Sequence, residues 1–193
     1  MMMSLSRSVN IIVLLGFYLT ICSGQEFARG ACPEVTPPAE GSNWNLSKYL
    51  GVWYEIARTE NIWEIGLKCV TANYTLRSDG VIRVDNKGIT ERNKTVNAVG
   101  SARIDSPVNL LKVKFAKWSP EAPYWIAKTD FDRYALVISC MDLFNALKVE
   151  SAWILSRTPT LDQRIKEDLF NTLSSLGVPR SSMRIVNQNN CPY

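Results

Sequence analysis

Short runs that alternate between apolar and polar residues fill most of the chain after residue 50. In the run 70–76, every second side chain is apolar and the side chains between them are polar. A period of two is typical of a β-strand that buries one face. The turn 78–80, Ser-Asp-Gly, follows this run, and 81–85 then predicts the returning strand of a hairpin.

Eight such runs are joined mostly by short connections, a pattern that favours a β-sandwich or an up-and-down barrel. The predicted strands are 53–58, 70–76, 81–85, 95–104, 110–116, 124–129, 134–139 and 152–156. The preceding segment 25–43 contains three prolines, two glycines and no periodicity, so we expect an extended N-terminal arm there.

One segment near the C-terminus changes to a helical period. Its apolar residues recur every three or four positions and are Leu161, Ile165, Leu169, Leu173 and Leu176. This spacing predicts an amphipathic helix of about sixteen residues that packs on the outside of the sheet. We expect a capping box between Thr160 and Gln163 at its start and Gly177 at its end.

The first 24 residues are typical of a secretion signal. Arg7 supplies a positive charge, the run 11–22 is almost wholly apolar, and the small residues Ser23 and Gly24 follow it. The apolar run is too short to span a bilayer, which needs about 20 residues. We therefore predict a signal peptide at 1–24, a single domain at 25–193 and an extracellular protein. The alternative is an N-terminal membrane anchor.

Composition excludes several classes of chemistry. The chain is 46% hydrophobic and 21% charged, which is typical of a globular protein. Its net charge of +4 is too small to indicate a nucleic-acid partner. The chain contains no histidine, so His-dependent nucleophilic catalysis and His-ligated zinc or haem are excluded.

Cysteines and glycosylation sequons agree with a secretory route. The cysteines that remain after the predicted cleavage are Cys32, Cys69, Cys140 and Cys191. An even number in a secreted chain indicates two disulfides, although spacing alone leaves three connectivities open. Asn-x-Ser/Thr sequons at Asn45, Asn73 and Asn93 are candidate glycosylation sites.

Three separated motifs then occur in order: Gly51-Val52-Trp53, Thr129-Asp130-Phe131, and Arg157 directly after a predicted strand. Together they resemble the lipocalin pattern of Gly-x-Trp, Thr-Asp-aromatic and a late arginine, and the resemblance covers essentially all of 25–193. Within lipocalins the chain is most similar to the group of apolipoprotein D, the crustacyanins and the bilin-binding proteins. The stretches that carry this similarity are 68–74, 122–125, 134–140, 152–155 and 190–192.

The resemblance implies an all-β fold, an eight-stranded up-and-down antiparallel β-barrel with one C-terminal α-helix packed outside. It also implies structural roles for the motifs. Gly51 begins the first strand where a side chain would crowd the backbone, Trp53 plugs the closed end, and Arg157 stacks on the indole of Trp53. Thr129 and Asp130 belong to the same closed end. For the disulfides, the resemblance implies the pairs Cys32–Cys140 and Cys69–Cys191.

A barrel of this size has room for one small ligand in an apolar, aromatic interior. Strand alternation places on the inner face Val70, Ala72, Tyr74, Val84, Val113, Phe115, Trp153 and Leu155. Tyr74 and Trp153 match positions that line the pocket in relatives of apolipoprotein D. We interpret the set as candidate ligand-binding residues, with simple filling of the core as the alternative. Arg58, Arg83 or Lys114 could meet a ligand carboxylate at the rim, and nothing in the sequence selects one of them.

The segment 61–65 is expected in the first long loop, over the open end of the barrel. Its side chains Ile62, Trp63 and Ile65 are unusually apolar for a loop. Trp63 is a further candidate ligand-binding residue, and the three together are a candidate lid, lipid-surface contact or homo-oligomer contact. The alternative is that they fold back into the mouth of the pocket.

The sequence therefore predicts a secreted carrier that binds a fatty acid, sterol, retinoid or other lipid non-covalently inside the barrel. The alternative is a chromoprotein that binds a carotenoid or bilin pigment. A lipocalin-type enzyme acting on lipid peroxides or prostanoids is less well supported, because paired cysteines leave no thiol and Met141 and Met183 lie in no catalytic motif. We expect no metal, no nucleic acid and no cofactor, apart from a bound lipid or chromophore.

Overall fold

The computed structural model describes residues 26–37, 44–143 and 146–192. The predicted signal peptide at 1–24 lies outside these ranges. Within them, no helix has both the length and the apolar character needed to cross a membrane.

In the described ranges the strands form one antiparallel sheet. They are β1 Glu26–Arg29, β2 Gly51–Thr59, β3 Leu67–Leu76, β4 Ile82–Thr90, β5 Thr95–Ile104, β6 Leu110–Lys114, β7 Ala122–Thr129, β8 Tyr134–Leu143, β9 Leu147–Ser156 and β10 Met183–Ile185. Strands β2 to β9 pair in chain order, and β9 also pairs with β2. This closes the predicted eight-stranded up-and-down barrel and confirms the fold class.

Several strands are longer than the alternation predicted. Strand β4 continues through Asn86, Lys87 and Gly88, where polar residues and a glycine interrupt the apolar pattern. Strand β3 begins earlier, because a bulge between Lys68 and Thr71 shifts its register and Cys69 adopts a φ of 55°. Strand β6, in contrast, ends before the predicted limit at residue 116.

Helix α1, Gln163–Ser175, packs on the outside of the barrel. Its buried residues Leu169, Phe170 and Leu173 contact apolar side chains on the outer faces of β2, β8 and β9. The predicted capping box is wrong: Asp162 is the N-cap, and its Oδ1 accepts hydrogen bonds from the backbone N–H groups of the second and third helical residues at 2.9 and 3.2 Å. Asp162 stands directly before the first helical residue, so its carboxylate reaches these donors.

Helix α1 ends as predicted. Gly177 adopts a φ of 82°, and the N–H of Val178 bonds back to the carbonyl of Leu173. This left-handed residue after the last turn satisfies carbonyl groups that would otherwise lack partners.

A slit in the barrel wall lies between β2 and β3, and the C-terminal tail fills it. The two strands pair only along 51–54 and 71–74. Beyond that point β10 pairs with β2 instead, and the Gln188 Nε2 donates to the carbonyl oxygens of Glu55 and Val70, each at 2.8 Å. The tail therefore acts as a short extra strand that bridges the two sides of the slit.

Two disulfides fasten the chain ends to the barrel. Cys69–Cys191 holds the tail beside the slit, and Cys32–Cys140 holds the N-terminal arm against β8. These are the pairs that the family resemblance implies. The arm is also held by the backbone N–H of Cys32, which donates to Asp142 Oδ1 at 2.8 Å.

Candidate ligand-binding site

The closed end of the barrel is organised around one arginine. The guanidinium of Arg157 lies 3.6 Å from the centroid of the fully buried Trp53 ring. It donates three hydrogen bonds to backbone carbonyl oxygens, at 3.0 Å to Phe131, 2.8 Å to Val52 and 2.6 Å to Lys48. Arg157 thus joins the 3₁₀ turn Leu46–Tyr49, strand β2 and the turn after β7, so its role here is structural.

The requirement for glycine at Gly51 differs from the one expected. A Cβ at this position would meet no backbone atom within 4 Å, and its nearest neighbour would be Arg157 Nη1 at 3.6 Å. The φ of Gly51 is 92°, a region that residues with a side chain rarely adopt. The backbone conformation, rather than crowding, therefore accounts for the glycine.

Thr129 and Asp130 shape the turn between β7 and β8. The hydroxyl of Thr129 donates to the carbonyl oxygen of Tyr134 at 2.6 Å and accepts from the N–H of Phe131 at 2.9 Å. Asp130 Oδ1 accepts from the N–H groups of Arg133 and Tyr134. Both side chains are engaged with the turn backbone and leave the barrel interior to other residues.

Above Trp53, three tyrosine hydroxyl groups meet inside the barrel. The Tyr124 hydroxyl lies 2.8 Å from that of Tyr49 and 2.6 Å from that of Tyr74. Burial raises the pKa of all three, to about 12 for Tyr74, so the hydroxyls are neutral at physiological pH. Three hydroxyls share two hydrogen bonds, which leaves the group one donor for another partner.

Toward the open end, the inner face of the barrel is aromatic and incompletely filled. The rings of Tyr124 and Trp153 stack with centroids 6.4 Å apart. Both residues and Ala72 pack against the interior cluster, yet each stays only partly buried. Inward-facing side chains that keep accessible surface mark space that the protein does not fill with its own atoms.

The structure brings most of the predicted lining residues together. Tyr74, Val84, Val113 and Leu155 are buried in the interior cluster, with Ala72 and Trp153 at its edge. Val70 is buried near Gly88, where its side chain would lie 3.4 Å from a Cβ at that glycine. Phe115 follows the end of β6, packs over Gly100 and remains 45% exposed, so it lies at the rim.

The loop after β2 turns its apolar side chains outward. Trp63 is 74% exposed, and Ile62 and Ile65 are also largely exposed. The structure therefore does not bring Trp63 to the other lining residues. Its neighbour Glu64 points inward instead, and the Trp153 Nε1 donates to Glu64 Oε2 at 3.2 Å.

A charged group that sequence reasoning did not assemble lies beside Trp153. We name it the mouth cluster, and its members are Glu55, Arg58, Asn61 and Glu64. In the β2–β9 pairing, Glu55 lies opposite Leu155 and Arg58 lies opposite Trp153, both interior residues. A bulge between residues 55 and 57 puts these two side chains on the same face, where simple alternation predicts opposite faces.

The mouth cluster is buried and closely paired. Arg58 Nη1 donates to Glu55 Oε1, and the two residues are only 7% and 4% exposed. Arg58 Nη2 donates to the backbone carbonyl of Glu64, and Asn61 Nδ2 donates to the Glu64 carboxylate. Burial raises the pKa of Glu55 well above its usual value, and repulsion from the Glu64 carboxylate raises it further.

Asn86 is a further interior residue that sequence reasoning missed. It lies opposite Ala72 in the β3–β4 pairing, two positions after the buried Val84, so alternation alone could have found it. Its Oδ1 is buried without a hydrogen-bond partner. Because an unpaired buried acceptor is costly, this oxygen is a candidate partner for a ligand donor.

The sequon asparagines lie at three different surface positions. Asn45 is exposed, and its Oδ1 accepts from the N–H of Ser47 at the start of the 3₁₀ turn. Asn73 is half-buried within β3, and Asn93 is exposed in the turn between β4 and β5. Glycosylation at each stays a prediction.

Comparisons with known proteins agree with this geometry. A protein-family profile described as a lipocalin-like domain matches residues 44–188. The chain is 40% identical to apolipoprotein D from Macaca fascicularis over 175 residues, which are 88% of each protein. It is 37% identical to apolipoprotein D from Mus musculus over 184 residues, which cover 94% of this chain and 95% of the relative.

Among solved structures, lobster apocrustacyanin A1 has a similar fold. The TM-score is 0.74, and the match covers 86% of this chain and 94% of that chain. The identity of 24% is low, so this likeness concerns the fold alone.

Proposed function

Because this chain belongs to the lipocalin family, we propose that it is a secreted carrier that binds one small hydrophobic molecule non-covalently inside its barrel. The observation that carries the proposal is the partly filled aromatic interior around Ala72, Tyr124 and Trp153. Apolar and aromatic walls with a few polar groups are the usual lining of small-molecule sites in proteins.

Burial alone gives a useful affinity. A hydrophobic ligand of about 20 to 25 heavy atoms at about −0.3 kcal/mol per atom gains roughly −6 to −8 kcal/mol. This free energy corresponds to a dissociation constant near the micromolar range. The three neutral tyrosine hydroxyl groups and the unpaired Asn86 Oδ1 then orient the ligand rather than supply most of the affinity.

Binding, rather than catalysis, is the activity we propose. All four described cysteines are in disulfides, so the described residues offer no thiol for thiol-dependent chemistry. The same disulfides support an extracellular location, since such bonds persist in oxidising compartments. The predicted secretion signal at 1–24 is the sequence feature that supports export.

The experiment combines extraction of any bound ligand with a variant whose pocket is filled by a larger side chain. Protein from its native source is extracted with organic solvent, and the extract is examined by mass spectrometry and absorption spectroscopy. Recombinant protein is titrated with the neutral probe Nile red. Ala72→Phe should abolish probe binding by adding an aromatic ring to the partly filled interior, whereas the control Val52→Phe introduces the same side chain at an exposed position of β2.

Each outcome has a definite meaning. A lipid in the extract, together with probe binding that only Ala72→Phe removes, supports the carrier. A visible absorption band with a carotenoid or bilin mass makes the carrier a chromoprotein. An empty extract and a barrel that binds no probe would refute the proposal.

A further inference from the structure

Most hydrogen-bond donors of the mouth cluster are already used by the protein. The guanidinium of Arg58 faces four partners: the Glu55 carboxylate, the backbone carbonyls of Glu64 and Leu67 and, at 3.9 Å from its Nε, the Glu64 carboxylate. The Trp153 Nε1 also donates to Glu64 Oε2. A ligand that reaches this cluster therefore finds its cation already paired and most of its donors occupied.

Acceptors, in contrast, are in excess. Glu55 and Glu64 place two carboxyl groups around the single guanidinium of Arg58. The Oδ1 of Asn61, a residue that is 4% exposed, is buried without a hydrogen-bond partner. The cluster can therefore accept a further hydrogen bond and has no need of a further anion.

The arginine at the other end of the barrel does not change this balance. Arg157 is committed to three carbonyl oxygens and to the face of Trp53. Between the two ends lie the neutral tyrosine hydroxyls and apolar side chains. A carboxylate transferred into this interior would lose its hydration without gaining a cation, which is strongly unfavourable.

We propose that the mouth cluster makes this barrel select uncharged hydrophobic molecules that carry a hydroxyl group over the corresponding carboxylates. The inference rests on the proposed carrier function and narrows its ligand class. A ligand hydroxyl donates one hydrogen bond into a cluster rich in acceptors and brings no charge. A ligand carboxylate is a third acidic group around one guanidinium.

The test uses ligand pairs that share a skeleton and differ in the head group. All-trans-retinol is compared with all-trans-retinoate, and oleyl alcohol with oleate, at neutral pH. Binding is followed by quenching of tryptophan fluorescence for the retinoids and by displacement of Nile red for the acyl pair. We expect each alcohol to bind at least about tenfold more tightly than its carboxylate.

A variant links the preference to the cluster. Glu64→Gln removes one carboxylate and leaves Arg58 matched by Glu55 alone, so the ratio of alcohol to carboxylate affinity should fall severalfold. The matched control is Glu60→Gln, which removes a carboxylate from the same loop at an exposed position that pairs with Arg184 at 3.9 Å. The control should keep the ratio of the parent protein. Thermal unfolding of each variant checks that the barrel is intact.

The outcomes separate the two proposals. Equal or tighter binding of the carboxylates by the parent protein would overturn the selectivity, while the carrier function would stand. A ratio that Glu64→Gln and Glu60→Gln change alike would also overturn it, because the cluster would not be its cause. If none of the four ligands and no probe binds, the carrier function itself fails.

Discussion

Arg157 stabilises the closed end through geometry that a lysine cannot reproduce. Its planar guanidinium contacts three carbonyl oxygens and the Trp53 face at once, whereas an ammonium group is a compact point charge. Arg157→Lys should lower the free energy of unfolding by about 2 kcal/mol. Urea unfolding measures the change, and Arg164→Lys on the exposed face of helix α1 is the control. Equal effects of the two substitutions would contradict this role.

The buried tyrosines predict how stability depends on alkaline pH. The pKa of Tyr74 rises from 10.0 to about 12 in the folded protein, so folding favours its neutral form. Its contribution is complete below pH 10, the unfolded pKa, and is lost as the pH rises toward 12. Ultraviolet difference titration should show a late-ionising set of tyrosines that loses one member in Tyr74→Phe, because Tyr49 and Tyr124 also have raised pKa values. Ionisation of every tyrosine near pH 10 would contradict the burial of this cluster.

At the scale of single elements, helix α1 offers a direct test of its N-cap. Asp162→Ala removes the acceptor of two backbone hydrogen bonds and should cost about 1 kcal/mol of unfolding free energy. Thr160→Ala alters an exposed side chain two residues earlier and should cost much less. The two variants are compared by thermal or urea unfolding. The reverse order would support the capping box that the sequence predicts.

Bulges explain where the sequence could predict the elements and where it could not. Alternation in β3 and β4 located Tyr74 and Val84 correctly, because both strands keep a period of two there. Alternation could not predict the mouth cluster, because a bulge in β2 puts Glu55 and Arg58, three residues apart, on one face. A bulge depends on the hydrogen bonds of neighbouring strands, which the local pattern does not contain.

Long-range contacts also limit what the sequence can predict about the closed end and the mouth of the barrel. The Gly-x-Trp motif and the late arginine predicted the contact between Trp53 and Arg157, because the family pattern carries that information. The loop after β2 gave no such signal. Its apolar residue Trp63 suggested an inward position, yet the adjacent Glu64 is the one that bonds inside the barrel. Partners on distant strands, rather than hydrophobicity, decide this orientation.

At the scale of the whole molecule, the two disulfides close loops of similar length but lie at different places on the barrel. They close loops with sequence separations of 108 and 122 residues. The chain-entropy argument therefore predicts a similar loss, about 4 to 5 kcal/mol, when either pair is replaced by alanine. Of the two disulfides, Cys69–Cys191 is the one that holds the tail in the wall of the barrel, together with the hydrogen bonds of β10 and Gln188. We expect Cys69→Ala/Cys191→Ala to weaken ligand binding much more than Cys32→Ala/Cys140→Ala does.

Urea unfolding and ligand titration of the two double variants measure these effects side by side. Equal losses of both stability and affinity would show that the tail contributes nothing specific to the pocket. An effect on affinity confined to Cys32→Ala/Cys140→Ala would contradict the assignment of the tail as part of the wall.

The tail that bridges the slit is also the last part of the barrel wall to be synthesised. A ribosome synthesises β2 and β3 long before residues 183–191, which complete the wall between them. A nascent chain that already has all eight barrel strands still lacks this segment, so we expect its wall to be incomplete between β2 and β3. If the barrel carries a ligand as we propose, we expect it to be retained only by a chain in which residues 183–191 have joined the wall.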